Sequence, residues 1–212
     1  MSQVQDVKIQ YAGADPTALG VLGLAMVCFV ASTAKLGWTT GTATALLVPI
    51  AVILGGIVQV YAAMTDMKKN NVFGATALGG YGFFWITMGL AWATMNGMFG
   101  EGMLKAVDPK QLAFFFFGYL IFSLYITVAA FETNVPFMFI LVLIDVLFLT
   151  LGWGMLLPKT DPLKATLGHI AGWSEFSISL FGFYASAGIF FKNFYGKEVL
   201  PLGKPLGLIK KA

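Results

Sequence analysis

Six apolar runs, each long enough to cross a bilayer as a helix, constrain this chain more than any other feature. They cover about Thr17 to Ala34, Thr42 to Met64, Ala75 to Gly97, Gln111 to Ala130, Pro136 to Leu157 and Leu167 to Phe191. A membrane helix needs about 20 mostly apolar residues, and the hydrocarbon core accepts only helices or closed barrels. The runs lack the period-two alternation of barrel strands. Short connections separate them, which predicts one all-α bundle of six transmembrane helices. Only 11% of residues are charged and 58% are hydrophobic, against about 25% charged in a soluble domain. The expected organisation is an N-terminal segment over 1–16, a six-helix domain over 17–191 and a basic tail over 192–212.

All thirteen basic residues are lysines, so bidentate arginine clamps for carboxylate or phosphate are excluded. With six spans both termini share a side. That side carries eight lysines, including Lys8, Lys210 and Lys211, against five opposite, which predicts cytoplasmic termini. The tail beyond Lys192 is expected to be solvated. No basic stripe suggests nucleic acid. A lone His169 and a lone Cys28 do not make a metal site, and no metal or other cofactor is expected. Ser32 and Lys35 match the Ser-x-x-Lys acylation pair without its companion motifs. An integral membrane enzyme, one alternative class beside a purely structural membrane protein, has no nucleophile and base set to support it.

Two carboxylates fall inside runs, Asp145 in the fifth and Glu175 in the sixth. A charge at mid-bilayer costs about 2.5–3.5 kcal/mol on insertion scales, so such groups face an interior or a wet cavity. Both are candidate proton sites. No lysine interrupts the centre of any run, so the bundle centre is expected to lack a fixed cation and a tight anion site. Gly168 and Gly172 have the spacing of a packed helix seam.

Several motifs then occur in order. Asp15-Pro16-Thr17-Ala18-Leu19-Gly20 opens the first run, with Gly55-Gly56-Ile57-Val58-Gln59 in the second. Asn71-Val72-Phe73-Gly74-Ala75-Thr76-Ala77 leads into Tyr81-Gly82-Phe83-Phe84-Trp85. His169-Ile170-Ala171-Gly172-Trp173 and Gly196-Lys197-Glu198-Val199-Leu200-Pro201-Leu202-Gly203 follow. Together they resemble the acetate uptake transporter family. The resemblance implies a homo-hexamer in the plasma membrane with a path for acetate or similar small carboxylates, succinate among them, through each protomer. It implies a hydrophobic constriction from Leu24, Tyr81 and Ile144. It also implies a substrate pathway including Asp15, Pro16, Thr17, Leu19, Gly20, Gln59, Thr76 and Trp85. Leu24 stands where the family has phenylalanine. The rival mechanism is proton-coupled symport through Asp145 or Glu175.

Overall fold

A computed structural model describes residues 13–40 and 44–209. Lys8, Lys210, Lys211 and the expected start of the second run at Thr42 lie outside the described residues, as does most of the 1–16 segment.

Every described element is helical: α1 (Thr17–Lys35), α2 (Leu47–Ile50), a π-helical stretch (Ala51–Ile57), α3 (Val58–Lys68), α4 (Val72–Met95), α5 (Glu101–Ala106), α6 (Gln111–Ala130), α7 (Val135–Leu156) and α8 (Pro162–Tyr195). The second expected run is thus one rod with a π-helical centre, and it begins at Leu47. The last helix is longer than the run that predicts it, and α5 sits within an expected loop. Five rods are long and apolar enough to cross a membrane: α1, the composite rod Leu47–Lys68, α6, α7 and α8. The remaining long helix, α4, has 24 residues, but Thr, Tyr, Trp and five glycines dilute its apolar character.

Local chemistry sets the helix ends. The side chains of Asn71, Asn134 and Asp161 accept from the amides of Gly74, Phe137 and Leu163, and Pro136 and Pro162 occupy the first turns of α7 and α8, where a missing N–H costs nothing. Gly196 closes α8 at φ 67°, the left-handed conformation that glycine adopts without strain.

The long rods form a ring. α1 packs on α8, α8 on α7, α7 on α6, α6 lightly on α4, α4 on the composite rod, and that rod on α1. Gly23 allows α1 to approach the backbone of the composite rod, since any Cβ there would strike the Leu54 carbonyl oxygen. The Gly168–Gly172 seam is half present. Gly172 packs on Lys35 and Leu36, whereas Gly168 has open space around it.

The tail is not freely solvated as expected, because its main chain is bonded to the bundle. Val135 N–H donates to the Leu202 carbonyl at 3.0 Å, Leu206 N–H to Phe131 at 2.8 Å, and the Leu208 and Ile209 amides to Glu132.

Candidate functional site

Two hollows open at opposite ends of the ring. The first, about 350 Å³, lies where α1, α4 and α7 begin and α8 ends, and the second, about 200 Å³, lies where α1 and α4 end. No residue lines both.

Polar groups surround the mouth of the first hollow: Asp15, Thr17, Asn71, Asn134, Lys192 and Asn193. Asp15 accepts from Thr17 N–H at 2.9 Å and from Asn193 Nδ2 at 3.2 Å, tying the head of α1 to the tail of α8. Burial pushes the Asp15 carboxyl up, but the bonds from Thr17 and Asn193 and the Lys69 charge outweigh it and hold the group below its usual range. Lys69 itself donates to the Ala14 carbonyl at 2.6 Å. Deeper in, Gln59 is fully buried; its Nε2 donates to the Gly55 carbonyl at 2.6 Å while its Oε1 has no protein partner. A buried acceptor left unpaired costs about 1–3 kcal/mol, and a hollow beside it supplies room for water or a donor.

Leu24, Tyr81 and Ile144 line the deep part of this hollow together and are all buried. They come from α1, α4 and α7, so three helices meet at the inner end. The Tyr81 hydroxyl donates to Ser123 Oγ at 2.9 Å on α6. Beyond them Phe148 sits between the hollows, its ring 6.4 Å from Tyr81 and 5.0 Å from Phe84, which lines the second hollow. Phe116 and Ile178 complete this buried apolar layer.

Trp85 and Glu175 line the second hollow, and so does Lys35. Lys35 Nζ lies 2.7 Å from Glu175 Oε2, with side chains 21% and 2% exposed. The second hollow therefore holds a fixed cation at its end of the bundle, away from the lysine-free run centres. Lys35 closes the last turn of α1, and its length carries the ammonium back into the bundle.

Other expected residues lie apart. Pro16 and Gly20 are buried in the turn that starts α1, and Leu19 is exposed on its outer face. Thr76 is exposed and lines a lateral hollow with Tyr125 and Glu132. Asp145 lines neither hollow; it accepts from Thr127 Oγ1 at 2.8 Å between α6 and α7, with the Ser123 hydroxyl beside it. Sequence reading missed Phe84, Phe148 and Lys35, and also Asn134 and Asn193 at the mouth. The asparagine at 134 was detectable as a helix-capping residue before a Pro-headed run, whereas nothing in the pattern separates Phe148 from the other phenylalanines. Among the described residues, no cluster of three or more His, Cys, Asp or Glu side chains could hold a metal.

A protein whose described elements are all helical, with several rods long and apolar enough to cross a membrane and two hollows on either side of an apolar layer, has the build of a membrane transport protein. The model of the GPR1/FUN34/yaaH family matches residues 3–196, and the chain belongs to that family. It is 30% identical to acetate permease A of Emericella nidulans over 84% of this chain and 64% of that protein, so it spans less than two thirds of that relative. It is 26% identical to the succinate-acetate/proton symporter SatP of Escherichia coli K12, over 90% of this chain and 96% of that one. Its fold matches the solved structure of the bacterial acetate channel SatP with a TM-score of 0.80 at 25% identity, covering 90% of this chain and 99% of the other.

Proposed function

We propose that this protein carries acetate and similar short monocarboxylates, with succinate as a further substrate, through a path inside each protomer. The observation that carries the reading is the alignment of two hollows on either side of the buried layer of Leu24, Tyr81, Ile144 and Phe148. A dry apolar constriction between wet vestibules opposes free ion flow and gates by dewetting. A carboxylate enters past the amides and side-chain donors at one mouth and meets the Lys35 ammonium at the other. The path needs no covalent chemistry, and the protein is read as a transporter and not an enzyme.

In this reading α4 is the sixth span, buried enough within the ring to tolerate its glycines and tyrosine. Both termini are cytoplasmic, the protein sits in the plasma membrane, and the exposed apolar outer faces meet lipid and neighbouring copies in a homo-hexamer. Proton-coupled symport is favoured over free anion flow by one observation, the placement of Glu175 on the second hollow. Asp145, which lines neither hollow, has no such support.

Uptake of labelled acetate into proteoliposomes tests the reading. Saturable uptake well above protein-free liposomes supports it, and uptake equal to them rejects it. With an inward proton gradient, accumulation beyond equilibrium that a protonophore abolishes supports coupling, whereas uptake that follows the acetate gradient alone supports a channel.

A further inference from the structure

The second hollow places a fixed cation and a buried carboxylate in one small chamber at the end of the path. Glu175 Oε2 accepts from Lys35 Nζ at 2.7 Å, and both side chains line the hollow. The walls around them are otherwise mostly apolar, with Phe84, Trp85, Leu147 and Met155 among them. A net charge in such surroundings is expensive, while a close pair of opposite charges is tolerated. That condition restricts what can enter. A carboxylate arriving beside the intact pair brings the chamber to net −1. A carboxylate arriving with one proton leaves it at zero.

We propose that Lys35 and Glu175 form a co-loading site for one proton and one short monocarboxylate, an inference that rests on the carboxylate-transport reading above. In the loading step a proton from water goes to the Glu175 carboxylate. Its bond to Lys35 breaks, and the Lys35 ammonium takes the substrate carboxylate in its place. Charge balances throughout: ammonium with glutamate before, ammonium with substrate after, and a neutral Glu175 carboxyl alongside. The roughly 200 Å³ of the chamber holds several waters at about 30 Å³ each, room enough for a two- or three-carbon acid.

The surrounding groups fit this role. α8 packs against α1 and α7. From α1 the ionisable groups that face Glu175 are Lys35 and the buried Cys28 thiol; from α7 the wall is Leu147, Leu151 and Met155. His169, earlier on α8, is exposed. Among the described residues, Glu175 therefore has Lys35 as its single charged neighbour, and the state of one reports on the other. Lys35 keeps a partial foothold on the Ala31 carbonyl at 3.5 Å, so it remains in the chamber when Glu175 releases it.

Proton uptake coupled to acetate binding tests this. Acetate is titrated into the detergent-solubilised protein at pH 7 in weak buffer, with an indicator dye following protons and labelled acetate following binding. The wild type is expected to take up about one proton per acetate bound at this site, as linkage requires when binding changes a protonation equilibrium. Glu175→Gln, a stand-in for the protonated carboxyl, is expected to bind acetate with no proton uptake. The double variant Lys35→Gln/Glu175→Gln, which leaves no buried charge unpaired, is expected to fold and to lose the binding at least tenfold. Binding without proton uptake in the wild type, or the same uptake in Glu175→Gln, overturns the proposal. Liposome uptake keeps the two readings separate. A wild type that moves no acetate defeats the transport reading, whereas one that moves acetate without the proton linkage defeats only the co-loading site.

Discussion

The Tyr81 hydroxyl donates to Ser123 Oγ at 2.9 Å, so the phenol at the inner end of the first hollow is held by α6. The ring of Tyr81 is fixed edge-on to Phe122 at 5.3 Å and stacked over Phe148. Its single donor hydrogen is thereby committed to a neighbouring helix. Tyr81→Phe is expected to lower stability by about 1 kcal/mol through the lost bond. It should keep acetate uptake within about threefold of wild type, a barrier change of about 0.65 kcal/mol, because the hydroxyl it removes is bonded to α6. Thermal unfolding in detergent and initial uptake rates check both. A tenfold loss of uptake in a folded variant shows instead that the hydroxyl handles substrate.

Phe148 is the wedge between the hollows, touching the rings of Tyr81, Phe84 and Phe116. Phe148→Ala joins the two chambers through the space its ring vacates. Truncating a buried phenylalanine costs about 3–5 kcal/mol, so a drop in unfolding temperature is expected together with faster and less selective permeation. Liposomes bearing the variant should leak chloride, and liposomes bearing the wild type should not. A variant that stays tight to chloride places the barrier elsewhere, with Leu24 and Ile144 the next positions to truncate.

The helices were legible because lipid imposes a length on every apolar run, and Asn71, Asn134 and Asp161 announce helix starts by their side-chain chemistry. The π-helical centre at Ala51–Ile57 was not; it lies where Gly23 and Trp85 pack on that rod, a contact between helices that an apolar run does not report. Leu24, Tyr81 and Ile144 were placed by resemblance, and the structure brings them to one hollow. Lys35 stands just past the first apolar run, where the sequence pattern shows only the end of a helix. Only the three-dimensional return of α8 past α1 sets it against Glu175, 140 residues away. Thr76 and Asp145 were read by motif and by hydropathy, neither of which reports which way a helix face points.

Asp15 ties the mouth of the first hollow together, and its charge state sets how firmly. Because its folded carboxyl is held below the ordinary value of 3.8, the ionised form stabilises the folded state. The sign follows from linkage: the contribution is complete above that ordinary value and disappears as pH falls through the lower folded one. Wild-type unfolding temperature is therefore expected to fall more steeply than that of Asp15→Ala as the pH is taken below about 4. At pH 7 Asp15→Ala should be less stable by about 0.5–1.5 kcal/mol, the net worth of a typical intramolecular hydrogen bond. Equal pH profiles for the two proteins mean that the bonds to Thr17 and Asn193 add nothing to stability.

Gly23 and Gly168 make a paired test of which glycines close the ring. A methyl at Gly23 meets the Leu54 carbonyl oxygen, a backbone atom in the π-helical stretch that cannot swing aside. Overpacking of that kind costs about 1–3 kcal/mol, so Gly23→Ala is expected to lower the unfolding temperature and to loosen α1 from the rod it packs on. At Gly168 nothing lies within 4 Å of the added methyl, and the helix gains the roughly 1 kcal/mol by which alanine exceeds glycine in propensity. Gly168→Ala should leave the protomer as stable or more so. Its native mass in detergent gives a second reading of the same site. A variant that keeps its fold but breaks into smaller assemblies places Gly168 against a neighbouring copy, while one that keeps both fold and mass leaves Gly172 as the packed member of the pair.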